Sequence, residues 1–388
     1  MSITTSPVSA DSLPARTIAR KRSFYRPELD VLRFFAFLSV FLFHFNRPAA
    51  FLVEHGVPSG IAWVGTSLVE EGVFGVDLFF VLSAYLITEL LLREQEQCGT
   101  LDVKGFYFRR ILRIWPLYFF YIGLALIPVF NPDHGFTWAQ ATAYLLLAGN
   151  WGVIAWGWPL HSIVVPLWTV SIEEQFYLVW PLLVRSLRRN RIGLAAIGML
   201  ILSSATRIAM VAIHGGMNSV WCNTFSRLDP IAAGILVALI LHGRTPKIPF
   251  GIRCAMLIGG IIPLAFVANC WQIHQPERLL WIPTLLGFPV VAISCTVIML
   301  AVLGVDLAFP RWLIYLGKIS YGLYVYHALG NQLSNRIIPE HRGFVELALR
   351  PVSALAITIV LAIISYKFLE TPFLKLKDRF AHIASRPI

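Results

Sequence analysis

Arg33 and His44 stand eleven residues apart in one apolar run. At about 100° and 1.5 Å per residue they fall within roughly 20° of each other on one helix face, some 16 Å apart along the axis. A guanidinium suits an anionic ligand, and an imidazole is the side chain whose proton moves near neutral pH. Arg33 reads either as part of an anion site or as an anchor whose stem lies in apolar surroundings. His44 reads either as a proton acceptor or as a packing residue bonded to a neighbour. An ionisable group at the centre of a bilayer costs about 2.5–3.5 kcal/mol even on insertion scales, so each one in a span is a functional candidate.

Further along, Gly75-Val76-Asp77-Leu78-Phe79-Phe80-Val81-Leu82-Ser83-Ala84-Tyr85 places Asp77 at a depth comparable to His44. That carboxylate could orient the imidazole and stabilise its protonated form, or bond two helices together. Glu70 and Glu71 suit the N-terminus of the helix that follows. In Phe108-Arg109-Arg110-Ile111-Leu112-Arg113-Ile114-Trp115-Pro116, Arg110 and Arg113 are three apart and share a face. Guanidinium forks hold phosphate bidentately, so this pair forms a candidate clamp for a phosphorylated ligand. Arg109 is explained by anchoring alone. Glu173 and Tyr177, in Trp168-Thr169-Val170-Ser171-Ile172-Glu173-Glu174-Gln175-Phe176-Tyr177, put a polar stripe on another apolar helix. Arg227 with Asp229, and Tyr324 with His327, are weaker signals of the same kind.

The elements that must position these residues are membrane helices. Hydrophobic residues make up 57% of the 388 and charged residues 14%, against about 45–50% and 25% in soluble domains. A net charge of +11 does not call for nucleic acid, because the Lys and Arg sit in short gaps between apolar runs. About 20 apolar residues cross a hydrocarbon core. The runs predict an all-α polytopic protein with about ten transmembrane helices, over 29–53, 72–92, 108–130, 165–184, 192–213, 225–242, 253–271, 281–303, 312–336 and 345–367. The shorter stretch 138–152 lies in a segment without Lys or Arg from Asn131 to Val165. It is expected as a re-entrant or interfacial helix.

Ten crossings put both termini on one side, and most of the 32 Lys and Arg then fall there, as the positive-inside bias requires. The expected layout is a cytoplasmic N-terminal tail (1–28), a transmembrane domain (29–370) and a cytoplasmic C-terminal tail (371–388). No cleavable leader is expected, since residues 1–28 are polar and the apolar run after them is too long for one. The five cysteines form no C-x-x-C pair and no metal spacing. No metal is expected, and Cys222 with Cys270 is the candidate pair for a disulfide.

Taken together, these segments resemble the acyltransferase-3 family of integral-membrane O-acyltransferases. The matching stretches are Arg26-Pro-Glu-Leu-Asp-Val-Leu-Arg33 through His44, Gly75–Ser83, Arg109–Pro116, Trp168–Tyr177, Ser320-Tyr-Gly-Leu-Tyr-Val-Tyr-His327 and Glu370-Thr-Pro372. They occur in the family's order. One departure is Ala84, where relatives usually carry Gly after the serine. The chain resembles members without an extracytoplasmic hydrolase-like domain.

The resemblance implies an acyltransferase that moves an acyl group, commonly acetyl from acetyl-CoA, onto a hydroxyl of a cell-envelope or exported carbohydrate or glycolipid. It maps the family's Arg-x10-His pattern onto Arg33 and His44, and its Arg-x-x-Arg pattern onto Arg110 and Arg113. Arg33, Arg110 and Arg113 would hold the phosphates of the donor acyl-CoA. His44 would be the general base, with Asp77 or Glu173 stabilising the imidazolium. Trp151, Trp156 and Trp158 either stack on a sugar or form an interfacial belt. The expected location is the bacterial inner membrane, in contact with lipid and with no nucleic-acid partner. An alternative reading is a transporter or exporter of a glycan or small solute that uses the same buried charges. A non-catalytic acyl-CoA sensor is a third.

Overall fold

The computed structural model describes residues 25–130, 135–159, 161–275, 278–338 and 344–377. Most of the expected N-terminal tail, and 378–388 of the C-terminal one, lie outside them. Among the described residues there are helices and no strands. In chain order, α1 (Pro27–Phe43) is followed by two short helices, α2 (Ala49–Glu54) and α3 (Ser59–Glu70). A 3₁₀ turn at Glu71–Phe74 leads into α4 (Gly75–Cys98), and α5 (Val103–Ala125) comes next. Then come α6 (Trp138–Leu145), α7 (Gly149–Trp156), α8 (Leu167–Ser186), α9 (Arg189–Ala212), α10 (Asn218–Trp221) and α11 (Leu228–Leu241). The chain continues through α12 (Phe250–Phe266), α13 (Trp281–Val302), α14 (Arg311–Lys318), α15 (Ser320–Ile337), α16 (Phe344–Ser365) and α17 (Thr371–Lys377).

Among the described residues, five helical stretches are long and apolar enough to cross a membrane: Ser59–Cys98, Arg189–Ala212, Phe250–Trp271, Trp281–Val302 and Leu349–Leu376. The other expected spans are helical but shorter or more polar. The run expected as one span over 29–53 is two helices. α1 begins with Pro27 and carries Glu28 and Asp30 in its first turn, where the macrodipole favours anions. It ends at Phe43, and Pro48 keeps the Arg47 before it out of the helical conformation, so α1 and α2 do not join. His44 therefore caps the C-terminal end of α1 rather than sitting mid-helix. The expected 312–336 span likewise divides into α14 and α15.

The segment 138–152 is also two short helices, α6 and α7, not one. A capping box between Thr137 and Gln140 starts α6. The break between them is held by α8, where Gln175 donates from Nε2 to Leu147 O and Asn150 Oδ1 at 3.0 Å each, and Ser171 Oγ accepts from Gly149 N–H at 3.1 Å. Cys222 and Cys270 are free thiols, so the candidate disulfide is not formed.

α4 is the central helix, buried on most of its surface and packed against α1, α8, α11 and α13. α9 and α12 bury few residues and form the periphery. The α4–α11 contact explains how the chain carries Ala84. Gly234 of α11 faces it so closely that a Cβ on Gly234 would lie 2.4 Å from Val81 O and 3.0 Å from the Ala84 methyl. The bulk missing at Gly234 accommodates the extra methyl at 84, the small-residue packing on which membrane helices rely.

Candidate active site

Two of the cavities that touch α1 hold sequence-predicted residues. The smaller, about 80 Å³, is lined by Arg33 of α1, Arg110 and Arg113 of α5, and Glu173 and Tyr177 of α8. Three guanidinium groups thus face one carboxylate, and no ion pair joins Glu173 to any of them among the described residues. Instead Glu173 Oε2 accepts from Tyr177 O–H at 3.3 Å, and the Tyr177 hydroxyl is hydrogen-bonded to Ser83. Arg110 lies over the Tyr177 ring, 5.4 Å from its centroid, and its Nε is buried without a partner. The chamber carries an excess of positive charge with donors to spare. Arg109, one residue away, is paired with Glu94 at 2.7 Å.

The larger cavity, about 610 Å³, receives His44 at the end of α1. The imidazole is exposed to this cavity although protein surrounds it. It stacks on His327 of α15, with ring centroids 5.1 Å apart and planes 25° apart. His327 Nδ1 lies 2.5 Å from Tyr324 O. A carbonyl only accepts, so Nδ1 carries a proton and donates it there. Across the cavity, His274 Nε2 lies 2.7 Å from Glu70 Oε1, and Trp158, Trp168 and Trp221 complete an aromatic lining. Aromatic faces with scattered polar groups make a surface suited to a sugar-sized ligand.

The sequence-predicted residues divide between these places. Arg33, Arg110, Arg113 and Glu173 come together at the smaller chamber, and His44 lines the larger one. Asp77 is not His44's partner. Its Oδ2 accepts from Arg227 Nη2 at 3.0 Å, with both side chains buried. A carboxylate enclosed in an apolar bundle needs a cation, and Arg227 supplies it, lying 4.4 Å over the Trp221 ring as well. Asp229 pairs instead with Arg207 at 2.5 Å, since residues two apart on a helix do not face each other. Glu173, too, lies among the arginines rather than at the imidazole. Of the three tryptophans singled out, Trp158 lines the cavity, Trp151 donates to Gln175 Oε1 at 3.3 Å and Trp156 is exposed.

His327 with Tyr324 is a weak signal in the sequence, and no spacing joins His274 to Glu70. Glu70, suited by sequence to the N-terminus of the following helix, instead ends α3 and reaches His274 over 204 residues of chain.

The Asp77–Arg227 pair is a structural tie, and breaking it on one side strands a buried charge, which costs about 3–5 kcal/mol. Asp77→Ala is expected to lower the thermal midpoint of the solubilised protein sharply, and Asp77→Ala with Arg227→Met to recover most of the loss. Equal midpoints for Asp77→Ala and the parent would remove this role.

The family model of the acyltransferase domain matches residues 26–367. The protein named "Putative O-acetyltransferase SAS0844" of Staphylococcus aureus is 27% identical over 387 residues, covering 92% of this chain and 58% of the relative. "Peptidoglycan O-acetyltransferase OatA" of Listeria monocytogenes is 27% identical, covering 90% and 56%. "Putative peptidoglycan O-acetyltransferase YrhL" of Bacillus subtilis is 29% identical, covering 90% and 55%. The chain thus spans less than two thirds of the length of these relatives. No solved structure matches it. With an acyltransferase-domain match over nearly the whole chain, and the arginine chamber and histidine cavity falling on the motifs that first pointed there, the chain belongs to the acyltransferase-3 family of membrane proteins.

Proposed function

We propose that the protein is a membrane O-acyltransferase that moves an acetyl group from acetyl-CoA onto a hydroxyl of a cell-envelope or exported carbohydrate. The observation that carries this reading is the alignment of the two cavities along α1, with phosphate-type cations at one end and a cavity-facing imidazole at the other. The names of the relatives support O-acetylation of an envelope glycan.

In this reading the arginine end and both termini face the cytoplasm of the inner membrane. Arg33, Arg110 and Arg113 hold the phosphates of the donor, and its thioester arm extends toward His44. The acceptor sugar occupies the larger cavity. His44 takes the proton from the acceptor hydroxyl as its oxygen bonds to the thioester carbonyl carbon. The carbon–sulfur bond then breaks, and the leaving thiolate takes up a proton to become the CoA thiol. With Asp77 committed elsewhere, the C-terminal carbonyls of α1 are the negative pole nearest the transient imidazolium. Glu173 offsets part of the cationic charge of the donor chamber when it is empty.

Inside-out membrane vesicles test the sidedness. Labelled acetyl-CoA added outside such vesicles is expected to transfer label to glycan in the lumen. Label that stays on CoA, with the protein folded and glycan present, would refute the activity.

A further inference from the structure

Among the described residues, the two cavities share two lining residues, Val76 and Tyr324. Val76 belongs to the α4 wall that the neighbouring Asp77 pins to Arg227. Tyr324 is held differently, by a single side-chain bond, in which its hydroxyl lies 2.9 Å from Thr169 Oγ1. Thr169 Oγ1 already donates its one proton to Pro166 O at 3.0 Å, so Tyr324 is the donor and Thr169 the acceptor. On α8 the two chambers are lined by adjacent residues, Trp168 on the larger and Thr169 on the smaller. The bond between Thr169 and Tyr324 thus lies at the boundary between the two chambers.

Size decides what this boundary does. A water occupies about 10–15 Å³ of such space, so a chamber of about 80 Å³ holds a handful of waters and no acylated thioester arm. The cavity beyond, about 610 Å³, has room for the reacting ends of two substrates. An acyl group moving from the arginine end to His44 would cross the boundary that Tyr324 and Val76 line.

We propose that Tyr324 is a latch between the donor chamber and the acceptor cavity, shut by its bond to Thr169 and opened by the arriving acyl donor. The thioester carbonyl is itself an acceptor and can take Thr169's place, so the latch's proton passes from one acceptor to another without being left unpaired. Shut, the latch keeps solvent in the open cavity away from the arginine chamber. The barrier is inferred from the shared lining and the Thr169 bond, independently of the activity. Its opening by a thioester rests on the proposed function.

Accessibility tests the barrier without requiring turnover. Ser83 lines the arginine chamber only. In the full-length protein in cells, Ser83→Cys is challenged with a membrane-impermeant methanethiosulfonate, and the adduct on the peptide carrying position 83 is read by mass spectrometry. Adding Tyr324→Phe or Thr169→Val is expected to raise the labelling rate about two- to tenfold, the range one hydrogen bond allows. Adding Tyr324→Ala is expected to raise it further. The Thr169 variant is isosteric and guards against a trivial folding defect. Equal labelling in all four proteins, including none at all, overturns the latch. Release of CoA thiol from acetyl-CoA without any acceptor is measured alongside and is expected to rise in the same order. Faster labelling with no thiol release and no acetyl transfer in any variant would leave the barrier standing and remove both the acyltransferase reading and the donor-driven opening.

Discussion

His44→Ala is expected to lower kcat for acetyl transfer by about 10²–10⁴-fold, the contribution typical of a positioned general base, while leaving the donor KM near that of the parent. The separation of sites dictates that split. His44 lines the larger cavity, whereas the arginines that would hold the donor line the smaller chamber. Among the described residues, the ring contacts of the imidazole are a stack on His327 and an edge contact with Phe43, so its loss should leave the fold intact. Two-substrate kinetics on the solubilised protein, with donor binding measured separately, check this. Full activity in His44→Ala would remove the imidazole from the reaction.

Arg110 and Arg113 predict the complementary pattern. A hydrogen bond between charged groups contributes about 1.5–3 kcal/mol, so each guanidinium removed is expected to raise the donor KM roughly ten- to a hundredfold. Arg110→Ala with Arg113→Ala should compound the two, with a smaller change in kcat. Lysine should restore charge without the bidentate fork and therefore recover only part of the loss. Arg109→Ala serves as the comparison. Its partner is Glu94, so its effect should fall on stability rather than on donor affinity. A donor KM unchanged in the double variant would move the phosphate site elsewhere.

Much of this site was legible in the sequence because it follows from spacing along single helices. The three-residue step from Arg110 to Arg113 puts both on one face whatever surrounds α5, and the same holds for Glu173 with Tyr177 on α8. What spacing cannot give is the choice of partner across helices. Asp77 and His44 matched in depth, yet Asp77 is bound to Arg227, 150 residues away, because a buried carboxylate pairs with whichever cation the bundle brings within reach.

Hydropathy also misplaced helix ends. Phe51, Leu52 and Val53 prolong the apolar run after α1, but backbone geometry at Pro48 keeps them in a separate helix. That break leaves His44 at a helix terminus facing open space. In the same way, 138–152 reads as one apolar stretch and folds as two short helices, since Gln175 and Ser171 of α8 bond to the backbone between them. The stack on His327 and the tie from His274 to Glu70 are tertiary contacts that no periodicity announces.

The most direct test is mass spectrometry of envelope glycans from cells carrying the intact gene, a deletion, or the His44→Ala form. One acetyl increment on a glycan is expected with the intact gene and absent from the other two. Identical glycan profiles in all three, with both protein forms present in the membrane where encoded, would contradict acetyl transfer through His44.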